Sequence, residues 1–155
     1  MTITEQLQQH FSSKVPPGWF TQGPEVTADD DEILCVGAIA PGTTPEAFRE
    51  ATRDQRVAIA VEAEALFGRR VSWGVVVDGR RVLFTTYNAP VATRLRLSER
   101  TVLDTLVDAG VARSRSDALG WCVRLVARHQ SEWLDDLRGA LEGVQKVRAE
   151  GPTSL

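Results

Sequence analysis

The 155-residue sequence predicts an α+β fold in two parts. A small acidic α-β-α-β-β domain is expected over residues 1–90, and a strand-helix-helix domain with an extended last helix over residues 91–150. Three observations carry this. Within the first 90 residues, apolar side chains recur at helical spacing in some stretches and form runs of strand length in others. Pro90 then marks a boundary, and one alternating stretch followed by two capped helical stretches lies beyond it. The charge also changes along the chain: −4 over residues 1–90, +3 over 91–130 and −2 over 131–155. With 43% apolar and 25% charged residues, the composition is that of globular domains, which excludes disordered, collagen-like and disulfide-scaffold classes.

The elements follow in order. Ile3, Leu7 and Phe11 share one helical face, so a helix is expected over residues 2–14, stopped by Pro16-Pro17-Gly18. Trp19 and Phe20 fall in a loop or extended segment. The unbroken apolar run Ile33 to Ile39 reads as a buried strand ended by Pro41-Gly42. Thr43 or Thr44, ahead of Pro45-Glu46, caps a helix running to Phe67, where Gly68 supplies the stop. Val71 to Val77 and Arg81 to Thr86 form a hairpin through Asp78-Gly79, a pair suited to two consecutive positive φ angles. These strands make a small mixed sheet packed by the two helices.

Beyond Pro90, residues 91–97 alternate. Val91, Thr93, Leu95 and Leu97 face one way; Ala92, Arg94 and Arg96 face the other. Ser98 caps a helix with Val102, Leu103, Leu106 and Val107 on its apolar stripe, and Gly110 ends it. Ser114-Arg115-Ser116-Asp117 caps the next helix. Its stripe carries Leu119, Cys122, Val123 and Val126, then Trp133, Leu134, Leu137, Leu141 and Val144. The tail from Gly151 to Leu155 is expected to fray.

Few residues point to catalysis. Cys35 and Cys122 lie in apolar runs, as buried thiols of a reducing compartment do. With His10 and His129 they lack the paired spacing of a structural zinc site. Asp29 to Glu32 lack the alternating ligands and glycine of a calcium loop and read as a solvated turn. The four tryptophans (19, 73, 121 and 133) read as core or interface residues. Gly37 and Gly42 match no phosphate-binding loop, and neither histidine has a patterned nucleophile beside it. The expectation is a protein without enzymatic activity, metal or cofactor. No apolar run approaches the roughly 18 residues of a membrane span. The N-terminus has no basic start followed by an apolar stretch. A cytoplasmic location with no membrane partner is therefore expected.

The segment TRLRLSERTVLDTLVDAGVARSRSDALGWCVRLV resembles the ribbon-helix-helix DNA-binding fold of the MetJ/Arc superfamily, over roughly residues 90–135. The whole chain is also similar to an uncharacterised actinobacterial protein type, which supplies no activity. The physics of the segment agrees with the resemblance. A lone strand cannot satisfy its ladder, and one strand with two helices encloses no adequate core. Two copies can do both.

The resemblance implies an obligate homodimer whose two-stranded ribbon enters the major groove of double-stranded DNA. Ala92, Arg94 and Arg96 would then read bases. Arginine pairs with guanine O6 and N7, whereas alanine can touch only a thymine methyl. Twofold symmetry implies four reading arginines and a palindromic or repeated site. The turn Ser114, Arg115, Ser116 would hold phosphate at a helix N-terminus, with Arg113 adding a salt-dependent contact. Asp117, in the same first turn, would repel phosphate if it pointed outward. On spacing alone, Arg94 and Arg96 also describe a solvated strand face, and Ser114 and Ser116 describe plain capping.

The function expected is a homodimeric DNA-binding protein, either a transcriptional regulator or a nucleoid-associated factor. The alternative is a protein-interaction module, an antitoxin-like or scaffold dimer whose N-terminal domain binds a partner protein. The net acidity and the size of the front domain motivate it. A small-molecule-responsive sensor is a third class, with no ligand named by the sequence.

Overall fold

The computed structural model describes residues 1–152. The chain divides into two compact units, Met1–Val91 and a second from Ala92 onward. Among the described residues it is an α+β protein with six helices and one four-stranded sheet. No described helix is long and apolar enough to cross a membrane.

In the first unit, α1 (Ile3–Lys14) starts at a capping box. The Glu5 N–H donates to Thr2 Oγ1 at 3.3 Å, and the Thr2 N–H donates to Glu5 Oε2 at 2.7 Å. Leu7 and Phe11 are buried, while Ile3 stays exposed. The inward stripe is thus two residues long rather than three. Two strands follow, where one was expected. The short β1 (Glu25–Ala28) buries only Val26 and pairs antiparallel with β2 (Glu32–Ala38). Gln8 of α1 holds its start: Nε2 donates to the Pro24 carbonyl at 2.6 Å, and Oε1 accepts from the Val26 N–H at 3.2 Å. The acidic run forms the turn between the strands. Asp29 Oδ1 accepts from the N–H groups of Asp31 (2.9 Å) and Glu32 (2.8 Å), which holds the Asp29 carboxyl below the usual range.

The buried run occupies the sheet centre, as its composition demands. β2 lies parallel to β3 (Arg70–Val77), and β3 turns antiparallel into β4 (Arg80–Leu83). Asp78 and Gly79 take φ of 51° and 73°, the two positive values a tight hairpin needs. The sheet order is β1-β2-β3-β4. The crossover from β2 to β3 was expected as one helix and is two: α2 (Pro45–Ala51), capped by Thr44, and α3 (Arg53–Phe67), ended by left-handed Gly68. Thr52 breaks it. Its hydroxyl donates to the Phe48 carbonyl at 2.7 Å, and its backbone leaves the helical region at φ −105°, ψ 1°. A threonine bonding back to residue i−4 bends helices in this way.

The core of this unit joins Leu7 and Phe11 of α1 to Ile33 and Cys35 of β2, Trp73 and Val75 of β3, and Ile59 and Ala63 of α3. The Lys14–Glu62 ion pair, 2.7 Å, places α1 beside α3. The Phe20 ring lies directly on Gly37, where a Cβ would sit 2.2 Å from it. That close approach explains the glycine within the apolar run. Burial in this core pushes the Cys35 thiol up to about 12.

The second unit holds α4 (Leu97–Asp108), α5 (Arg115–His129) and α6 (Ser131–Glu150). Two expectations are corrected here. Residues 91–96 form no strand within a single chain. Among the described residues of the unit no second strand is present to complete a ladder. The extended last helix is interrupted at Gln130, with φ −121° and ψ 27°. The helix cap expected at Ser98 lies two residues earlier. Arg96 is the N-cap of α4, and Glu99 reaches back to accept from the Arg96 N–H at 3.4 Å.

Candidate nucleic-acid interface

The second unit is organised by three buried residues, Leu103 of α4, Ala112 of the turn and Ala118 of α5. Leu95, Leu106, Val107, Leu119 and Cys122 pack against them. Leu95 is the residue between the two expected base-reading arginines. Ala112 and Ala118 bracket the expected phosphate-binding turn. One small core therefore anchors both candidate surfaces. Arg100 of α4 fixes the extended segment further, because its Nη1 donates to the Leu95 carbonyl.

Around this anchor the expected reading residues are laid out toward solvent. Ala92, Arg94 and Arg96 are all exposed. Among the described residues, no carboxylate comes within salt-bridge distance of Arg94 or Arg96. The backbone N–H groups of Ala92 to Leu95 likewise donate to no described protein group. The inward set is only partly inward. Leu95 packs, but Val91 is 85% and Leu97 72% exposed. The free N–H groups of Ala92 to Leu95, with Leu95 packed inward and the arginines exposed, leave this extended segment open to backbone pairing.

The turn is more committed to its own structure than its sequence implies. Ser114 Oγ accepts from the Asp117 N–H at 3.1 Å and so caps α5. Asp117 does not simply project outward. Its Oδ2 accepts from the Arg113 N–H at 2.9 Å, which closes the turn. Arg115 is paired with Asp104 of α4 through two hydrogen bonds of 2.8 and 2.9 Å. Hydrogen bonding from Arg115, with its charge, holds the Asp104 carboxyl below its usual range and raises Arg115. Of the four expected phosphate contacts, only Arg113 and Ser116 keep exposed side chains without a side-chain partner among the described residues.

Two features escaped the sequence reading. Asp104 was not recognised as the partner of Arg115, since eleven residues separate them. Arg49, Arg53 and Arg56 line one groove of the first unit. Their spacing along the crossover helices was visible, but it matches an ordinary solvated face.

Two domain families match the chain. Residues 5–83 match the Rv1265-like protein, N-terminal domain, and residues 96–148 match the Mb1296 C-terminal domain. The uncharacterized proteins Mb1296 of Mycobacterium bovis and MT1303 and Rv1265 of Mycobacterium tuberculosis are each 49% identical to it over 154 residues. The match covers 92% of this chain and 68% of each relative. No solved structure matches the chain. A shared N-terminal domain spanning half the chain, with relatives of this identity and coverage, makes the chain a member of the Rv1265-like family.

Proposed function

We propose that the protein is a homodimeric DNA-binding protein, a transcriptional regulator or nucleoid-associated factor, that presents residues 91–96 of two copies as an antiparallel ribbon to the major groove. The observation that carries this reading is the pair Arg94 and Arg96. They are exposed, without carboxylate partners among the described residues, on a segment whose Ala92 to Leu95 N–H groups donate to no described group and whose Leu95 is seated on the α4–α5 core. Two arginines spaced by one residue on a ribbon face can each take guanine O6 and N7. Arg113 and Ser116 supply backbone contacts, and Arg115 contributes less because Asp104 already neutralises it.

Dimerisation is supported by what the second unit leaves uncovered. Trp133, Leu137, Leu141, Val144 and Val147 of α6 are 43–67% exposed, and α6 buries no residue. Val123 and Val126 of α5 and Val102 of α4 are exposed as well. A second copy offers the same apolar face and the missing strand together, as an isologous interface does. The Arg94→Ala, Arg96→Ala double variant is expected to lose specific DNA binding and remain dimeric. A variant that falls apart would make these arginines structural.

The alternative of a protein-interaction module draws on one observation, the exposed Val57, Val61 and Leu66 of α3. It is favoured if the homodimer fails to bind DNA at low salt and a partner protein co-purifies in fixed ratio.

A further inference from the structure

The break between α2 and α3 leaves a buried positive charge with no negative partner. Arg56 is 7% exposed. Its Nε donates to Thr52 Oγ1 at 3.0 Å, and its Nη2 donates to the Arg49 carbonyl at 2.7 Å, a group freed by the end of α2. Its guanidinium carbon stands 4.9 Å from the centre of the Phe84 ring, and that of Arg49 stands 5.9 Å from the same ring. Among the described residues no carboxylate lies within salt-bridge distance of Arg56, and its Nη1 makes no hydrogen bond. Burial, then the charges of Arg49 and Arg53, lower its affinity for its proton. Buried charges in folded proteins are ordinarily paired.

The unpaired cation borders open space. Arg49, Arg53 and Arg56 line a groove of about 500 Å³, with Phe84, Glu46 and Glu50 also in its lining. Volumes of that size accommodate small molecules. Plain helix-break satisfaction explains two of the arginine's donors. It does not explain why two more arginines line the same groove, where they repel Arg56.

We propose that this groove binds a small molecule bearing an oxyanion, a phosphate ester or a carboxylate, which Arg56 pairs through its free Nη1 while Arg49 and Arg53 complete the charge. Glu46 and Glu50 accept hydrogen bonds, so they select ligands that also carry hydroxyl or amino groups. The site lies wholly within Met1–Val91 and does not depend on the DNA-binding reading.

The test is calorimetric titration of the full chain with orthophosphate, glycerol 3-phosphate and citrate, against sodium chloride at matched ionic strength. The expected result is saturable binding of at least one oxyanion with Kd of about 10 mM or tighter, weakened at least about tenfold in both Arg53→Gln and Arg56→Gln. Glycerol 3-phosphate ahead of citrate assigns a phosphate ester, and the reverse order assigns a carboxylate. Arg53 is exposed, so Arg53→Gln decides the matter if Arg56→Gln fails to fold. No binding beyond the chloride control, or binding that both folded variants retain, overturns the proposal.

Discussion

The Arg115 guanidinium holds both carboxylate oxygens of Asp104, Nε to Oδ1 at 2.8 Å and Nη2 to Oδ2 at 2.9 Å. This pair ties the start of α5 to the middle of α4. It also removes one cation from the turn assigned to phosphate. Asp104→Asn should therefore free Arg115, strengthen DNA binding, and steepen its salt dependence by about one ion per freed arginine. Fluorescence anisotropy across a salt series measures the slope. An unchanged slope would place Arg115 away from the phosphates.

The same pair sets a pH dependence. The Asp104 carboxyl is depressed, first by the hydrogen bond from Arg115. Its contribution to stability is therefore fully present above the unfolded value of about 3.9, and is lost as pH falls through the lower folded value. Helical signal from the second unit should be insensitive to this pair between about pH 5 and 8 and weaken in acid. In Asp104→Asn that acid-linked component should be absent.

The exposed face of α6 gives a separate prediction. Burying a leucine contributes about 1.5–3 kcal/mol, and twofold symmetry counts each substitution twice. Leu137→Glu with Leu141→Glu should raise the dimer dissociation constant at least about 100-fold. Sedimentation velocity reads this directly. A variant that stays dimeric at the same concentrations would move the interface away from α6.

Cys35 reports on the first unit. With its thiol pushed up to about 12 by burial, it should react with a disulfide reagent at pH 8 only when the unit opens. A Cys122→Ser background isolates the signal. The folded value lies above the unfolded one of about 8.5, so the unfolded chain ionises first. Stability of this unit should accordingly decline between about pH 8.5 and 12. Prompt reaction in the native state would contradict the burial.

Much of the frame was legible because single residues dictate it. Gly68 takes the left-handed stop, Asp78-Gly79 takes both positive φ values, and Thr44 and Ser114 cap the helices that follow them. The run from Ile33 reads directly as a buried strand, and it lies between β1 and β3. What escaped depends on contacts that periodicity does not encode. β1 buries one side chain and is held by Gln8, eighteen residues from Val26. At the break, the Thr52 hydroxyl bonds back to Phe48 and accepts from Arg56, which is buried there rather than on the solvated face its spacing implies. Residues 91–97 alternate like a strand, but a ladder is a property of two strands, and each chain contains this segment once.

The most direct measurement is binding of the purified protein to its own promoter and to random DNA of equal length, each at two salt concentrations. The account predicts tighter binding to the promoter, weaker binding to both at the higher salt, and loss of the promoter preference in the Arg94→Ala, Arg96→Ala variant. Absence of binding to either DNA at low salt, from a protein shown to be dimeric, would contradict it.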